Sequence, residues 1–268
     1  MIIKNEKEIN AMRQGGKLLA LITRKLVAEV KPRVTTGYLE KMANVLINQA
    51  GGSSSFKGYK SGKDDKPFPT TLCACINNEV VHAPSLPSRE LKSGDILKID
   101  IAMKWKGYHA DMATTIAVGK VSHKVQKLIR TTARALSLGI EQVWPGNSLN
   151  DIGKTIERYV KASGFSVVLD LVGHGVGKNL HEDPQVPNYD VAENNKIILK
   201  SGMVLAIEPM VNAGSWQIKN SSDDLTILTA DNSLSAHFEH TVLVTEQGHE
   251  VLTLPPLLKG VKQEQVPL

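Results

Sequence analysis

Asp100 and Asp111 stand in a largely apolar, β-rich stretch, SGDILKIDIAMKWKGYHADMATTIAV from Ser93 to Val118. Lys106-Gly107 supplies a turn between the Ile- and Leu-rich run that starts at Asp95 and the run from Tyr108, so the stretch reads as a hairpin. A four-residue loop, Lys104 to Gly107, sets Asp100 directly across from Asp111, and a loop one residue different moves them only slightly apart. Carboxylates that close raise each other's pKa, and a buried unpaired carboxylate is costly by itself. A hard divalent cation between them is the simplest remedy. Taken singly, either Asp is better read as a solvated residue on an edge hairpin.

A second copy changes that balance. Ser201 to Glu208, SGMVLAIE, repeats Ser93 to Asp100, SGDILKID, with four of eight positions identical and the acid at the same place. Each copy is followed by another acid before a β-rich run, Asp111 before MATTIAV and Glu239 before HTVLV. A repeat at this long spacing points to two related halves rather than a solenoid. The expected product is one site shared by four carboxylates.

Histidines supply the remaining chemistry. The run GHGVGKNLHEDPQVPNY carries His174 and His181, and its glycines at 173, 175 and 177 are expected to let the backbone turn tightly and approach a ligand closely. A phosphate-binding loop is excluded, because the Gly-Lys-Ser/Thr ending is missing and Pro184 and Pro187 leave no room for the following helix. Either histidine alone reads equally well as a hydrogen-bonded loop residue. Beside four strand carboxylates, one becomes a candidate ligand and the other a candidate acid or base. His82 follows a strand read over Leu72 to Val81. Glu182 and Asp183 read as solvated or supporting, His237, two before Glu239 on the same strand face, as supporting the site, and His123 and His249 as surface residues. Oxygen-rich ligation with one imidazole suits Mn, Fe, Co or Zn, and bridging carboxylates imply two ions about 3.5 to 4 Å apart. The chemistry implied is metal-assisted hydrolysis.

Helices must position these strands. Apolar spacing predicts one over Lys7 to Val30, stopped by Lys31-Pro32, and a second over Tyr38 to Ala50, ended by Gly51-Gly52. Ser122 caps a third running to about Val143, and Ser148 with Asp151 forms a capping box for a fourth ending at Gly164. Phe165 to Val172 reads as a strand, and the polar KSGKDDKP as the centre of a mobile surface loop. Each half is thus two helices followed by acid-bearing strands. The expectation is one α+β domain over 1–254, with halves of about 1–121 and 122–254 and a tail over 255–268.

Composition narrows the class. The chain has 268 residues, 41% of them hydrophobic, enough for a sizeable core, and the charged opening MIIKNEKEIN offers neither a signal segment nor a membrane span. A soluble, cytoplasmic protein is expected. Cys73 and Cys75 are its two cysteines, on the same face of a strand, and make a disulfide framework or a thiolate zinc site an unsuitable reading. The net charge of +5 permits an acidic partner such as RNA without demanding one.

With these residues in view the chain resembles a type I methionine aminopeptidase, from Ile3 to about Leu254. The motifs that carry the resemblance are Asp100 in KIDIAM, Asp111 in HADMATT, His174 in GHGVG, Glu208 in IEPMVNAG and Glu239 in FEHTVLV. It implies a pita-bread fold, with two pseudo-symmetric halves around a central antiparallel sheet and helices outside. It also implies two divalent ions, bridged by Asp111 and Glu239, with Asp100 completing one site and His174 and Glu208 the other. Glu208 would shuttle a proton while metal-activated water attacks the first peptide carbonyl, His181 would stabilise the oxyanion, and His82 would hold the second residue's backbone or assist proton transfer. Tyr59, Phe68, Cys73, Leu180 and Leu225 match the pocket for the methionine side chain, and Asn77 and Ser235 match positions that can hold a monovalent cation.

The chain departs from the family pattern in four places. Leu180 and Leu225 replace usual aromatics, Ala83 replaces a glycine, and KSGKDDKP lengthens the link between Tyr59 and Phe68. The partner implied is the N-terminal Met of nascent polypeptides, met by a monomer and without a membrane; a ribosome contact is compatible with catalysis. The alternatives are a related peptidase cleaving before proline, and a non-enzymatic interaction protein, perched at the ribosome, that kept the fold.

Overall fold

The computed structural model describes residues 3–60, 62 and 65–254. The expected tail therefore lies outside the described residues, as do 61, 63 and 64 of KSGKDDKP.

Four α-helices form where the sequence caps them. Helix α1 (Glu6–Glu29) opens on a capping box, with the Asn5 side chain accepting from the Glu8 amide and Glu8 accepting from the Asn5 amide. Thr35 caps α2 (Thr36–Gln49) and Ser122 caps α3 (His123–Ile140), which stops short of Val143 in a turn over 141–142. In α4 (Leu149–Ala162) the Asp151 carboxylate accepts from the Ser148 amide at 2.8 Å.

Nine strands make the main sheet. Its path runs Ser53–Ser54, Ile96–Trp105, Tyr108–Ala117, Glu239–Thr245, Val204–Ile207, Gly173–Gly175, Glu182–Val186, with Leu72–Ile76 paired to the second of these and Gly248–Val251 to the fourth. All these pairings are antiparallel. Period-two alternation divides each central strand between two environments. Leu97, Ile99, Ile101 and Met103 pack under Leu19, Leu26, Leu39 and Ile47 of α1 and α2. Leu205, Ile207, Val242 and Val244 pack under Leu128, Leu136, Ile152 and Ile156 of α3 and α4. Each half thus has its own core beneath its own helix pair, and the intervening residues, Asp100 among them, face the other side.

Register corrects three readings. The hairpin turn is two residues, Lys106 and Gly107, both at positive φ (49° and 86°), which matches the twist of tight hairpins. Asp100 therefore pairs with Ala113 and Asp111 with Ala102, so the two acids are diagonal neighbours on one face rather than directly opposed. The strand read over Leu72 to Val81 breaks at Asn77, whose φ of 54° turns the chain into a second strand, Glu79–Val81. Of the run Phe165 to Val172, Ser166–Val167 is strand.

The halves join along Tyr108–Ala117 and Glu239–Thr245, where Ala113 pairs with Glu239 and Met112 with His240. Beyond these two pairs the strands stay in register but threonine hydroxyls stand between them. Thr241 Oγ1 accepts from the Asp111 amide at 3.0 Å and donates to the Asp111 carbonyl at 2.8 Å. Thr115 Oγ1 does the same for the His237 amide (2.9 Å) and carbonyl (2.7 Å). The pseudo-twofold axis thus relates Thr115 to Thr241 and Asp111 to His237. The counterpart of Glu239 is Ala113, so the second acid of each repeat is offset by two residues. Replacing Thr241 by Val, equal in shape but without the hydroxyl, leaves a buried amide and carbonyl unpaired; denaturant unfolding should show a loss of about 1–3 kcal/mol, and an unchanged midpoint would refute the bridge.

Candidate metal centre

Strand alternation and register bring the donors together. Asp100 and Glu239 flank the Ala113 position from opposite strands, Asp111 lies two residues before Ala113, and His174 pairs with Ala206, two residues before Glu208. All five therefore project from one face of the sheet, drawn from both halves. An oxygen of Asp111, a ring nitrogen of His174 and an oxygen of Glu239 lie within 4.8 Å of one another. His174 Nε2 is 3.5 Å from Glu208 Oε1.

The electrostatics are those of a cation site. Asp100 Oδ1, Asp111 Oδ1 and Glu239 Oε1 are buried with no hydrogen-bond partner among the described residues. Burial pushes the Asp111 carboxyl up to about 7, and burial together with the Asp111 charge raises Asp100, Glu208 and Glu239 well above the usual carboxylate range. His174 is kept neutral by burial, its pKa lowered to about 3. Its Nδ1 lies 2.9 Å from the Gly175 carbonyl and donates to it, which leaves the Nε2 lone pair directed at the acids. This donor set, oxygen-rich with one imidazole, fits a divalent metal.

A cavity of about 480 Å³ opens from these donors. Its walls include Tyr59, Phe68, Cys73, Leu180 and Leu225, together with His82 and His181, so the structure brings the sequence-read pocket residues to one cleft. Cys73, buried, pairs across from Asp100. His181 stacks edge-on against His174 with centroids 4.3 Å apart, and its Nδ1 meets the Tyr59 hydroxyl. His82 stands exposed at the rim with φ 60°. Phe56, not read from the sequence, packs edge-on against Phe68 with ring centroids 6.2 Å apart. At the mouth Lys66 reaches Asp224 at 3.0 Å, so one end of KSGKDDKP lies against the segment that carries Leu225.

Several readings are refined. Two glycines of the histidine loop allow close strand packing, since a Cβ on Gly173 would strike the Ala206 carbonyl oxygen and one on Gly175 that of Asp183, while Gly173 also lines a cavity together with His174 and Glu208. Glu182 is buried in an ion pair with Lys4 at 2.7 Å and accepts from the Asn179 amide, while Asp183 is exposed. His237, 2% exposed, lies beside the donors with Nε2 3.6 Å from Glu208 Oε2, and neither of its ring nitrogens has a hydrogen-bond partner among the described residues. Asn77 and Ser235 do meet, but around the chain's own ammonium: Lys98 Nζ donates to both carbonyls. A lysine inside the apolar run ILKIDIAM was the sequence signal for that residue.

The comparisons with known proteins decide the family. Residues 10–246 match the model of metallopeptidase family M24. The chain belongs to metallopeptidase family M24. Among M24 relatives, a methionine aminopeptidase of Clostridium perfringens is 45% identical over 255 residues, covering 95% of this chain and 99% of that protein. The crystal structure of a methionine aminopeptidase from Thermotoga maritima superposes with a TM-score of 0.89 at 37% identity, over 95% of this chain and 99% of that one. A prolidase from Pyrococcus horikoshii shares the fold at a TM-score of 0.74 and 20% identity, with 64% of its chain covered. The pita-bread arrangement expected of an M24 chain is the one observed.

Metal use by an M24 site of this construction has a pH signature. A carboxyl whose folded pKa is raised keeps a proton that the unfolded chain releases, so its contribution to stability is lost as pH rises toward the folded value. Buried neutral histidines act in the opposite sense, but only below their unfolded value of about 6.5. The melting temperature of chelated protein should therefore fall from about pH 6.5 to about pH 8, and added Mn should raise it more at the upper end. A flat or rising profile in chelator would contradict the acid cluster. Ala113, small and between Asp100 and Glu239, sets the room available: Ala113→Leu should weaken metal binding about 10–100-fold by calorimetry while leaving the circular dichroism unchanged.

Proposed function

We propose that this chain is a metal-dependent aminopeptidase that removes the N-terminal methionine from nascent proteins and peptides. The observation that carries the reading is the convergence of Asp100, Asp111, His174, Glu208 and Glu239, three of them with unpartnered buried oxygens, at the floor of a cleft with apolar walls. The 45% identical methionine aminopeptidase supports it over cleavage before proline, since the prolidase likeness extends to fold alone. The site suits two divalent ions, Fe, Mn, Co or Zn, which Asp100, Asp111, His174, Glu208 and Glu239 would hold and which would lower the pKa of water and polarise the peptide carbonyl.

The chain's own groups do the rest. Glu208, with the neutral rings of His174 and His237 at 3.5 and 3.6 Å, carries the proton from the attacking water to the leaving amine. The Tyr59 hydroxyl meets His181 Nδ1; with the hydroxyl as donor, the His181 proton sits on Nε2 and serves the developing oxyanion. His82, at the rim, holds the backbone of the second residue. Tyr59, Phe68, Cys73, Leu180 and Leu225 take the unbranched methionine side chain, and leucines in place of aromatics leave that slot wider. Residues 1–254 act as one catalytic domain, since both halves supply donors. We further propose that the protein works as a cytoplasmic monomer able to contact the ribosome; its net charge of +5 supports the ribosome contact.

Release of the first residue from Met-Ala, Met-Pro, Leu-Ala and Ala-Pro peptides, in chelator and with Mn, Fe or Co, tests the reading. Metal-dependent release of Met is expected, and Glu208→Gln should lower kcat by about 10²–10⁴-fold. Release restricted to residues preceding proline would overturn the specificity, and no release with any metal would overturn the enzyme.

A further inference from the structure

Lys98 is the largest of the fully buried side chains, with 0% exposure. Lysines are almost never buried unless paired with a carboxylate. Among the described residues no carboxylate lies within ion-pair distance of this one. Its ammonium instead donates to two main-chain carbonyl oxygens, Asn77 at 2.7 Å and Ser235 at 3.0 Å. Glu79, the acid on the same turn, is engaged with Arg89 and the Ile76 amide. Cys75 pairs directly across from Lys98 with its thiol protonated, its pKa raised to about 12 by burial.

The carbonyls are held in place for this contact. Left-handed backbone at Asn77 (φ 54°) turns its carbonyl inward, where it also accepts from the Ser235 amide at 3.1 Å. The Asn77 side chain is fixed in turn, accepting from the Ile96 amide at 3.0 Å and donating to Asp95 at 2.8 Å. Asn77 belongs to the first half and Ser235 to the second. Lys98 is two residues before Asp100 on the same strand face, and Ser235 is four residues before Glu239. The ammonium therefore ties the two halves together directly behind carboxylates from each.

We propose that Lys98 is a positioning residue, a built-in monovalent cation that fastens the Asn77 turn to the Ser235 strand, sets Asp100 and Glu239 for metal binding, and frees this protein from any need for a sodium or potassium ion there. Inward-facing carbonyl oxygens are the ligands that replace an alkali ion's hydration shell. An ammonium offers the same charge with three directed protons, and its tether prevents it from leaving. A hydrophobic residue of similar length fills the space but takes the ammonium's protons from both carbonyls, leaving the Asn77 oxygen only the Ser235 amide, and such a loss is costly in a buried site.

The test compares wild type, Lys98→Ala and Lys98→Met in potassium, sodium or tetramethylammonium chloride at one ionic strength, with the chelator as its tetramethylammonium salt. Melting temperature is read on chelated protein and Met-Ala turnover on protein with added Mn. Wild type should be indifferent to the monovalent ion in both readouts. Lys98→Ala should lose about 10²-fold in turnover in tetramethylammonium, by misplacement of the acids. Potassium or sodium, entering the vacated space, should restore at least about tenfold and raise its melting temperature by about 3 °C. Lys98→Met should lose turnover without rescue by either ion.

A wild type that itself gains activity or stability from potassium or sodium would overturn the proposal, as would Lys98→Met equal to wild type, or a folded Lys98→Ala that no alkali ion improves. If Lys98→Ala does not fold, the wild-type and Lys98→Met comparisons decide. The turnover readout rests on the metal-ligand reading of Asp100 and Glu239, whereas the melting readout does not. A wild type lacking metal-dependent turnover would overturn the peptidase reading and leave the melting comparison to decide on Lys98.

Discussion

Everything in this molecule follows from bringing two hairpins together at Ala113 and Glu239. Full backbone pairing along that seam would draw the strands uniformly close. Inserting the Thr115 and Thr241 hydroxyls keeps each polar backbone group satisfied while holding the strands apart on either side of the central pairs. The widened seam leaves room between the halves on the face away from the helices. Because the seam lies on the pseudo-twofold axis, whatever projects there comes from both halves, and the site cannot form from one alone.

That arrangement sets stability against function. Four carboxylates and two neutral histidines are packed where a purely structural core would have apolar side chains, and several of their atoms have no partner among the described residues. Mutual repulsion and desolvation both act against the metal-free protein, which is why their carboxyl pKa values rise. The two helix-covered cores, one per half, supply the rigidity that holds this face open. A bound cation relieves the same repulsion, so affinity and conformational stability are one quantity seen from two sides.

Much of this was legible in the chain. Capping residues Ser122 and Ser148 announce two helices at nearly the observed starts, because a cap is a local interaction that the sequence alone specifies, and apolar spacing announces the other two. The repeat of SGDILKID as SGMVLAIE exposes the two halves, and with the family motifs it brings forward all the residues gathered at the metal centre. What escaped depends on contacts distant in sequence. The two-residue register of Asp100 against Ala113 hung on a turn one could count in two ways. How closely Gly173 and Gly175 pack on neighbouring strands is decided by Ala206 and Asp183. Lys98 looked like one more strand lysine until Asn77 and Ser235, from opposite halves, were found at its tip.

The ion pair between Lys4 and Glu182 extends the site to an unexpected part of the chain. Lys4 also donates its amide to the Gly202 carbonyl, beside the strand that leads to Glu208. Glu182, in turn, directly follows His181 and accepts from the Asn179 amide. The segment ahead of α1 thus acts as a mooring line for the loop that presents the candidate oxyanion group. Severing such a buried pair costs about 3–5 kcal/mol, and here the cost would fall on loop order more than on either core. For anyone handling this protein, Lys4 is tied to a residue that lines the cleft, and a change at Lys4 reaches the histidine loop.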